Sequence, residues 1–526
     1  MTRKTRHGAK ARDRMGKTHV GRLITLSLIV LLGAGLRFYG IARESLWMDE
    51  ATTVRCADLA LSEIWSQPCD TSPPLYYALQ RAWLLFGRSE AALRSLSAVV
   101  ATLSILITYA LGRHLAGTGA GLLSAGLLAT SALHVEYSQE ARSYALLIAA
   151  CTFAIWGLVR ILSAPEEDDG SRFRLSNARR GSIDKSAYVG WFAFVLGSVV
   201  ALYAHNTAAL LIILSNFVLC CWWAVRRRFS RRFFLAWLLA NLIILGAWSW
   251  RLPVIIHQIG LELQDFWLEP PSPLTAIDTV ANVYGQMYLS AGQPYVTGAF
   301  IGLGVLGLTR LFLLKPWPAT LLAVFFVCVP IMTYIISFHT PIFMLRTILW
   351  PLPPFLTLVA IGIVFMRPWP LPTTVIAVAI GIQSTALANY FSYTIRREPW
   401  DEIVQAIQTS AHKHGVVIFC GADGEIPFSY YAVRSQFLIP MRGIVTFQEP
   451  AWRKLTVHEP ISHIRTIGTD RIREFVNPFP TVWLIERFCE PSASIRDELS
   501  HDYDLLRSDW MGGLRVTLLR ARRRRC

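Results

Sequence analysis

Long apolar runs separated by short polar segments dominate the chain up to residue 391. A helix needs about 20 predominantly apolar residues to cross a bilayer, and by this measure the pattern predicts about eleven spanning helices. The predicted spans lie near 23–36, 92–112, 115–133, 143–163, 188–204, 207–225, 233–250, 295–314, 317–337, 347–366 and 370–391.

After residue 391 the pattern becomes that of a soluble domain. A helix is predicted after Pro399, with Ile403 and Ile407 on its apolar face and Gly415 beyond its end. Short apolar runs predict buried strands at 416–420, 481–485 and 516–519. This pattern predicts a small α/β domain in the tail.

Basic residues orient the predicted helices. Residues 1–22 contain eight Lys or Arg and one acid, and such residues stay on the cytoplasmic side. Alternation from there places the tail and most polar loops on the extracytoplasmic side. The predicted organisation is a basic cytoplasmic segment (1–22), a transmembrane catalytic domain (23–391) and an extracytoplasmic α/β domain (392–526). The loops assigned to the outer side are 43–90, 134–142, 204–206, 251–294 and 338–346.

Composition supports a membrane protein. Of the 526 residues, 53% are hydrophobic and 16% are charged, against about 25% charged in ordinary soluble domains. The net charge of +16 comes from basic residues beside apolar runs, so we expect membrane lipids and no nucleic acid as partners. Of the nine cysteines, Cys56 and Cys69 share an outer loop, where a disulfide can form; the sequence leaves that pairing open.

The first outer loop carries adjacent carboxylates, Asp49 and Glu50, beside Trp47 and Met48. Partial burial there would raise the pKa of a carboxylate toward that of a working base. The alternative is an ordinary pair of solvated acids.

Later outer loops carry further polar candidates. Glu140 and Arg142 lie in a short loop between two predicted spans, where an ionised side chain is costly unless it is paired or functional; the alternative is a surface ion pair. His205 is consistent either with a role as a ligand or with packing at the membrane interface. Arg346 precedes a proline-rich helix and suits a phosphate contact or interfacial anchoring.

These segments resemble the GT-C glycosyltransferases of the protein O-mannosyltransferase and aminoarabinose-transferase type. The resemblance is strong over 40–145, patchy through the helices and weak in the tail. The motifs that carry it are Trp47-Met48-Asp49-Glu50-Ala51, Asp70-x-x-Pro73-Pro74-Leu75-Tyr76-Tyr77, Phe86-Gly87-x-Ser89-Glu90 with Leu93-Arg94, Leu111-Gly112-Arg113, Tyr137-Ser138-Gln139-Glu140-Ala141-Arg142-x-Tyr144, Tyr203-x-His205, Arg346 before Pro351-x-Pro353-Pro354, and Pro399-Trp400.

The resemblance implies a GT-C fold and an inverting transfer of a sugar, mannose-like or other, from a polyprenyl-phosphate carrier to an acceptor hydroxyl of a protein, lipid or glycan. It implies a bacterial inner membrane and an active site facing the periplasm or exterior. The implied roles are catalytic for Asp49, Glu50 and Glu140, and substrate-binding for Arg142, Arg346, His205, Asp70 and Tyr76, with Asp49 as the base and the arginines on the lipid phosphate.

Relatives often carry His or Lys before the proline pair, where this chain has Ser72. This departure puts a phosphate contact or metal ligand at that point in doubt. The outer loops offer no tight ligand cluster, so no obligatory cofactor is expected, although some relatives bind a divalent metal. The alternative function is a transporter or flippase of a lipid-linked sugar precursor, which should place its charges within helices and show internal repeats.

Overall fold

The chain folds into two compact units, as seen in a computed structural model. The helical unit comprises Met1–Tyr39, Ser95–Pro253 and Leu268–Ser392, and the mixed unit comprises Gly40–Arg94, Val254–Trp267 and Tyr393–Cys526. The structure describes residues 3–66, 69–163, 185–226, 231–256, 270–285, 287–289, 292–340, 342–392, 398–410, 415–420, 424–435, 472–487 and 492–522.

Among these described residues, nine helices are long and apolar enough to cross a membrane. The predicted polytopic helical architecture is thereby confirmed. These nine lie in the helices Arg3–Phe38, Glu90–Ala129, Tyr144–Leu162, Lys185–Ala204, Ala209–Arg226, Arg231–Trp248, Gln293–Leu314, Pro316–Ile336 and Leu371–Ser392. The shorter helices are Ala132–Ser138, Pro273–Tyr284 and Leu352–Val364, with 3-10 turns at Asn206–Ala208, Ser249–Arg251 and Leu345–Thr347.

Two features explain why nine spans stand where about eleven were predicted. Glu90–Ala129 holds two of the predicted spans, because Ala116 and Gly117 leave the helical conformation, Gly117 with φ +87°. The chain reverses there, since a Cβ on Gly112 would lie 3.0 Å from the Cα of Gly121. The predicted span at 347–366 is the shorter helix Leu352–Val364.

Glycines allow two helices of the helical unit to touch along their backbones. The two helices are Gln293–Leu314, which carries Gly307 and Leu303, and Leu352–Val364, which carries Gly362 and Leu358. A methyl group at Gly307 would overlap the carbonyl oxygen of Leu358, and a methyl group at Gly362 would overlap the carbonyl oxygen of Leu303. Small residues commonly allow this close approach in membrane helices.

The mixed unit contains a four-stranded sheet in the order β1-β2-β4-β3. β1 is Val416–Cys420, β2 Thr481–Glu486, β3 Tyr503–Met511 and β4 Leu514–Ala521. β1 and β2 are parallel and the other neighbours antiparallel. The small C-terminal domain and its three predicted strands are confirmed, whereas β3 was missed because this edge strand is mostly exposed and has no buried apolar run. The tail helices are Trp400–Thr409, Glu425–Arg434, Ile472–Val476 and Ser492–Ser500.

The mixed unit also includes the first polar loop. This loop forms the helices Met48–Asp58, Leu61–Ser66 and Leu75–Trp83, and Cys56 is bonded to Cys69, so the disulfide left open by the sequence is present. The division into 1–22, 23–391 and 392–526 follows hydropathy and stays a prediction; by packing, Gly40–Arg94 groups with the tail.

A buried ion pair fixes the start of this loop. The guanidinium of Arg94 donates to both carboxylate oxygens of Glu50, at 2.8 and 2.7 Å, and the two side chains are 4% and 0% exposed. Arg94 also donates to the backbone carbonyls of Ile41, Glu44 and Ser45 at 2.9, 2.8 and 2.9 Å. One cation therefore holds the backbone on both sides of residues 42–43 and the helix that follows.

The glycine contact predicts a position-specific effect of alanine. We expect Gly307→Ala to lower the free energy of unfolding by about 1–3 kcal/mol, because the added methyl overpacks the helix interface. The matched control is Gly302→Ala on the same helix, where a Cβ meets open space and alanine should be neutral or stabilising. Thermal unfolding in detergent distinguishes the two, and equal shifts would contradict the proposed contact.

The buried pair predicts a second difference. Glu50→Gln leaves the Arg94 charge uncompensated, which should cost about 3–5 kcal/mol of unfolding free energy. Asp58→Asn is the control, because its pair with Arg88 is exposed, at 42% and 56%, and such pairs contribute about 0–1 kcal/mol. Denaturation of both variants in lipid nanodiscs measures the difference; a Glu50→Gln variant as stable as Asp58→Asn would show that the pair does not hold the loop.

Candidate functional site

Asp49 and Glu50 are neighbours with different surroundings. They lie in the first turn of the helix Met48–Asp58, where acids interact favourably with the helix dipole. Trp47 precedes the helix in an extended conformation, and its carbonyl accepts the N–H of Ala51 at 3.0 Å. Glu50 is fully buried on Arg94, whereas Asp49 is only partly buried. Of these two adjacent acids, Asp49 is the one with a partly exposed side chain.

Asp70 and Tyr76 lie in the mixed unit as parts of a packed turn. One carboxylate oxygen of Asp70 accepts the hydroxyl of Tyr77 at 2.5 Å and the other accepts the backbone N–H of Thr71 at 2.7 Å. Tyr76 is 1% exposed on the buried face of the helix Leu75–Trp83. These contacts hold the proline turn in place beside the Cys56–Cys69 disulfide.

Glu140 and Arg142 are buried in the helical unit, at 4% and 6% exposure. Ser97 donates to the Arg142 carbonyl at 3.1 Å. The side-chain amide of Gln139 donates to the carbonyls of Arg37 and Tyr39 at 3.0 and 2.8 Å. The loop is therefore anchored to the end of the first helix, and its charged side chains are not solvated on the surface.

The first helix is anchored in turn by a buried arginine that the sequence analysis missed. Arg37 donates to the carbonyls of Leu128 and Ala129 at 3.1 and 3.2 Å, which lie in the last turn of the helix Glu90–Ala129, where carbonyls lack the usual intrahelical partner. It also lies 2.8 Å from Nδ1 of His134. Because Arg37 only donates, Nδ1 accepts and the His134 proton lies on Nε2.

Tyr144 brings two predicted residues together. The Arg346 guanidinium carbon lies 5.9 Å from the centre of the Tyr144 ring, and the His205 ring centre lies 6.0 Å from it. Tyr137 packs edge-on to the same ring at 5.3 Å. The sequence motif contained Tyr144, but its role as the shared contact required the folded helices.

The electrostatics around Tyr137 link the acid and the arginine. Burial raises the pKa of the Tyr137 phenol well above its usual value, and the charges of Glu136 and Glu140 add to this, whereas Arg346 acts in the opposite direction. The phenol is therefore a neutral hydrogen-bond donor. Glu140 and Arg346 are both close enough to influence it.

His205 caps the short turn Asn206–Ala208. Its Nδ1 accepts the backbone N–H of Thr207 at 3.2 Å and lies 2.9 Å from the Thr207 hydroxyl. Nδ1 is thus an acceptor, and in the neutral imidazole the proton lies on Nε2. His205 therefore binds the backbone through Nδ1.

A second missed residue is Arg251, which is 2% exposed at the end of the turn Ser249–Arg251. Its guanidinium carbon lies 5.8 Å from the centre of the Trp250 ring, and the Trp250 indole donates to the Tyr203 hydroxyl at 2.6 Å. The available signal was a basic residue directly after an apolar run and two tryptophans.

Chemically, the helical unit offers buried guanidinium groups suited to phosphate oxygens, and the mixed unit offers a partly accessible carboxylate suited to proton transfer. Among the described residues, no group of three or more His, Cys, Asp or Glu side chains is placed to hold a metal ion. Metal dependence stays a prediction.

One family model matches the sequence. It is described as dolichyl-phosphate-mannose-protein mannosyltransferase and covers residues 70–170. This region includes the proline turn, Glu140 and Arg142. A comparison with proteins of curated function found no match.

Solved structures resemble the whole chain. ArnT from Cupriavidus metallidurans bound to undecaprenyl phosphate matches with a TM-score of 0.65 at 13% identity, covering 94% of this chain and 97% of that one. Its apo state matches with a TM-score of 0.62 at 13% identity, covering 95% and 98%. An oligosaccharyltransferase from Archaeoglobus fulgidus in its apo form has a TM-score of 0.48 at 12% identity, covering 78% and 64%.

The similarity to ArnT extends over nearly the full length of both chains. The mannosyltransferase model adds an independent sequence match within the region that carries the loop motifs. The fold class inferred from the motifs is therefore confirmed: the chain has the GT-C fold of ArnT, with a sequence match to the protein mannosyltransferases over residues 70–170.

Proposed function

We propose that the protein is an inverting glycosyltransferase that moves a sugar from a polyprenyl-phosphate carrier to an acceptor hydroxyl on the extracytoplasmic face of a bacterial inner membrane. The observation that carries this proposal is the difference between the two loop acids: Glu50 is committed to Arg94, and Asp49 is left partly accessible on a rigidly held helix end. ArnT, of the same fold, has been solved with undecaprenyl phosphate.

Asp49 acts as the base. An acceptor hydroxyl is a weak nucleophile until its proton is removed, and a carboxylate at hydrogen-bonding distance removes it as the new bond forms. The acceptor oxygen bonds to the anomeric carbon while the bond to the carrier phosphate breaks, and the proton passes to Asp49. This single displacement inverts the anomeric centre.

The leaving group determines what the rest of the site supplies. Polyprenyl phosphate departs as an anion, so the departure is assisted by cations and needs no general acid. Arg142 and Arg346 bind this phosphate, and the Tyr137 phenol is a neutral donor that feels the Arg346 charge. His205, which contacts the same Tyr144 ring as Arg346, is the other substrate-binding side chain here. The charge of Glu140 acts on Tyr137 by raising the pKa of its phenol.

The distribution of disulfides and free cysteines supports the proposed extracytoplasmic location of the mixed unit. The helix that begins with Met48 is tied by the Cys56–Cys69 disulfide, and Cys420 of the tail is also disulfide-bonded. Disulfides persist in oxidising compartments such as the periplasm. The free cysteines in the described part of the chain, namely Cys151, Cys220, Cys221 and Cys328, all lie in membrane helices.

Asp49→Asn should slow transfer strongly, because an amide cannot take the acceptor proton. The assay uses purified protein in lipid, a panel of radiolabelled polyprenyl-phosphate sugars and crude envelope as acceptor, and measures release of free polyprenyl phosphate. We expect kcat to fall about 10²–10⁴-fold. Asp58→Asn, at the other end of the same helix, is the control and should retain activity. Consumption of no donor by the wild type would overturn the proposal, and movement of intact donor across the bilayer would identify a flippase.

Arg346→Gln should mainly weaken donor binding. Losing a charge-assisted hydrogen bond costs about 1.5–3 kcal/mol, or about 10–100-fold in donor KM, and Arg346→Lys should recover part of the loss because it keeps the charge. Arg310→Gln is the control, since Arg310 is exposed at the end of the helix Gln293–Leu314. Equal KM changes in the Arg310 and Arg346 variants would exclude Arg346 from the phosphate site.

A further inference from the structure

We propose that Tyr431, in the C-terminal domain, is a positioning residue for Asp49, so that the tail forms part of the catalytic machinery. This inference rests on the proposed role of Asp49 as the base. All the contacts that carry it lie within the mixed unit.

The tail hydrogen-bonds two consecutive residues of the loop before Asp49. The backbone N–H of Leu46 donates to the Tyr431 hydroxyl at 2.7 Å, and Leu46 is fully buried. The Ser45 hydroxyl donates to a carboxylate oxygen of Asp401. Both bonds come from the segment whose end, Trp47, starts the helix that carries Asp49.

The Tyr431 hydroxyl is itself held in one orientation. It donates to a carboxylate oxygen of Glu90 at 3.1 Å, and the same oxygen accepts from Arg434 at 2.6 Å. Burial raises the pKa of the phenol, so it stays neutral and keeps its proton for Glu90. A hydroxyl that donates to Glu90 presents its lone pair to the Leu46 N–H.

The opposite edge of the same backbone is bound by Arg94, which contacts the carbonyls of Glu44 and Ser45. The loop is thus fixed through its carbonyls by Arg94 and through an N–H and a hydroxyl by the tail. Two independent anchors on adjacent peptide groups restrict translation and rotation of the helix start. Proton transfer requires such precision, since a misplacement of about 1 Å can cost about 100-fold in rate.

The test compares two neighbouring tyrosines in the full-length protein. Tyr431→Phe removes the oxygen that binds Leu46 and keeps the ring. Tyr430→Phe is the matched control, because its hydroxyl donates to the Arg88 carbonyl at 2.5 Å instead. We expect Tyr431→Phe to lower kcat about tenfold or more while donor KM changes less than about twofold, and to accelerate hydrogen exchange of the Leu46 amide. Tyr430→Phe should change neither.

A second pair of variants tests the Ser45 anchor. Asp401→Asn keeps an oxygen that accepts the Ser45 hydroxyl, whereas Asp401→Ala removes it, so kcat should be closer to wild type in the asparagine variant. Unchanged kcat in Tyr431→Phe, or an equal loss of kcat in Tyr430→Phe, would overturn the positioning role. An inactive wild type would instead overturn the proposed function, and this inference with it, even if Leu46 exchange responds to Tyr431→Phe.

Discussion

The first polar loop of the mixed unit depends on the buried interactions of the Arg94 guanidinium. A buried cation must be neutralised and all its donors must be used, because desolvation costs several kcal/mol per ion. Arg94 meets this requirement with Glu50 and three backbone carbonyls, and in doing so it fixes the path of the chain from Ile41 to the first turn of the next helix. The position of Asp49 therefore depends on the ion pair between its neighbour Glu50 and Arg94.

The same constraint recurs in the helical unit. Arg37 binds the carbonyls at the end of another helix, and the loop with Glu140 and Arg142 is attached in turn to the end of the first helix through Gln139. A buried arginine loses its hydration, and its hydrogen bonds to backbone carbonyls offset that cost. The same bonds fix the position of those backbone groups. The loop that carries Glu140 and Arg142 is thus held by rigid helices.

Much of the fold was predictable because a bilayer forces apolar runs into helices that satisfy their own backbone, and because β1 and β2 are buried along their whole length. The reversal near Gly117 was expected as well, since separate spans were predicted at 92–112 and 115–133, whereas the exposed strand β3 has no comparable hydropathy signal. At the site, the resemblance already implied that Asp49 is the base, but the sequence could not show which of Asp49 and Glu50 is buried. That distinction depends on Arg94, 44 residues away from Glu50, and on the direction of each side chain from the helix.

The bond from Leu46 to Tyr431 joins residues 385 positions apart. During synthesis at about 5–20 residues per second, the loop near the N-terminus therefore waits roughly 20–80 s for its last partner. A ribosome that stops before the tail releases a chain whose helices are present but whose loop is incomplete. Because Tyr431 follows Leu46 by 385 residues, the loop before Asp49 is complete only when translation has passed the tail. A truncated chain in the membrane would contain the loop motifs but would lack the hydrogen bond that positions them.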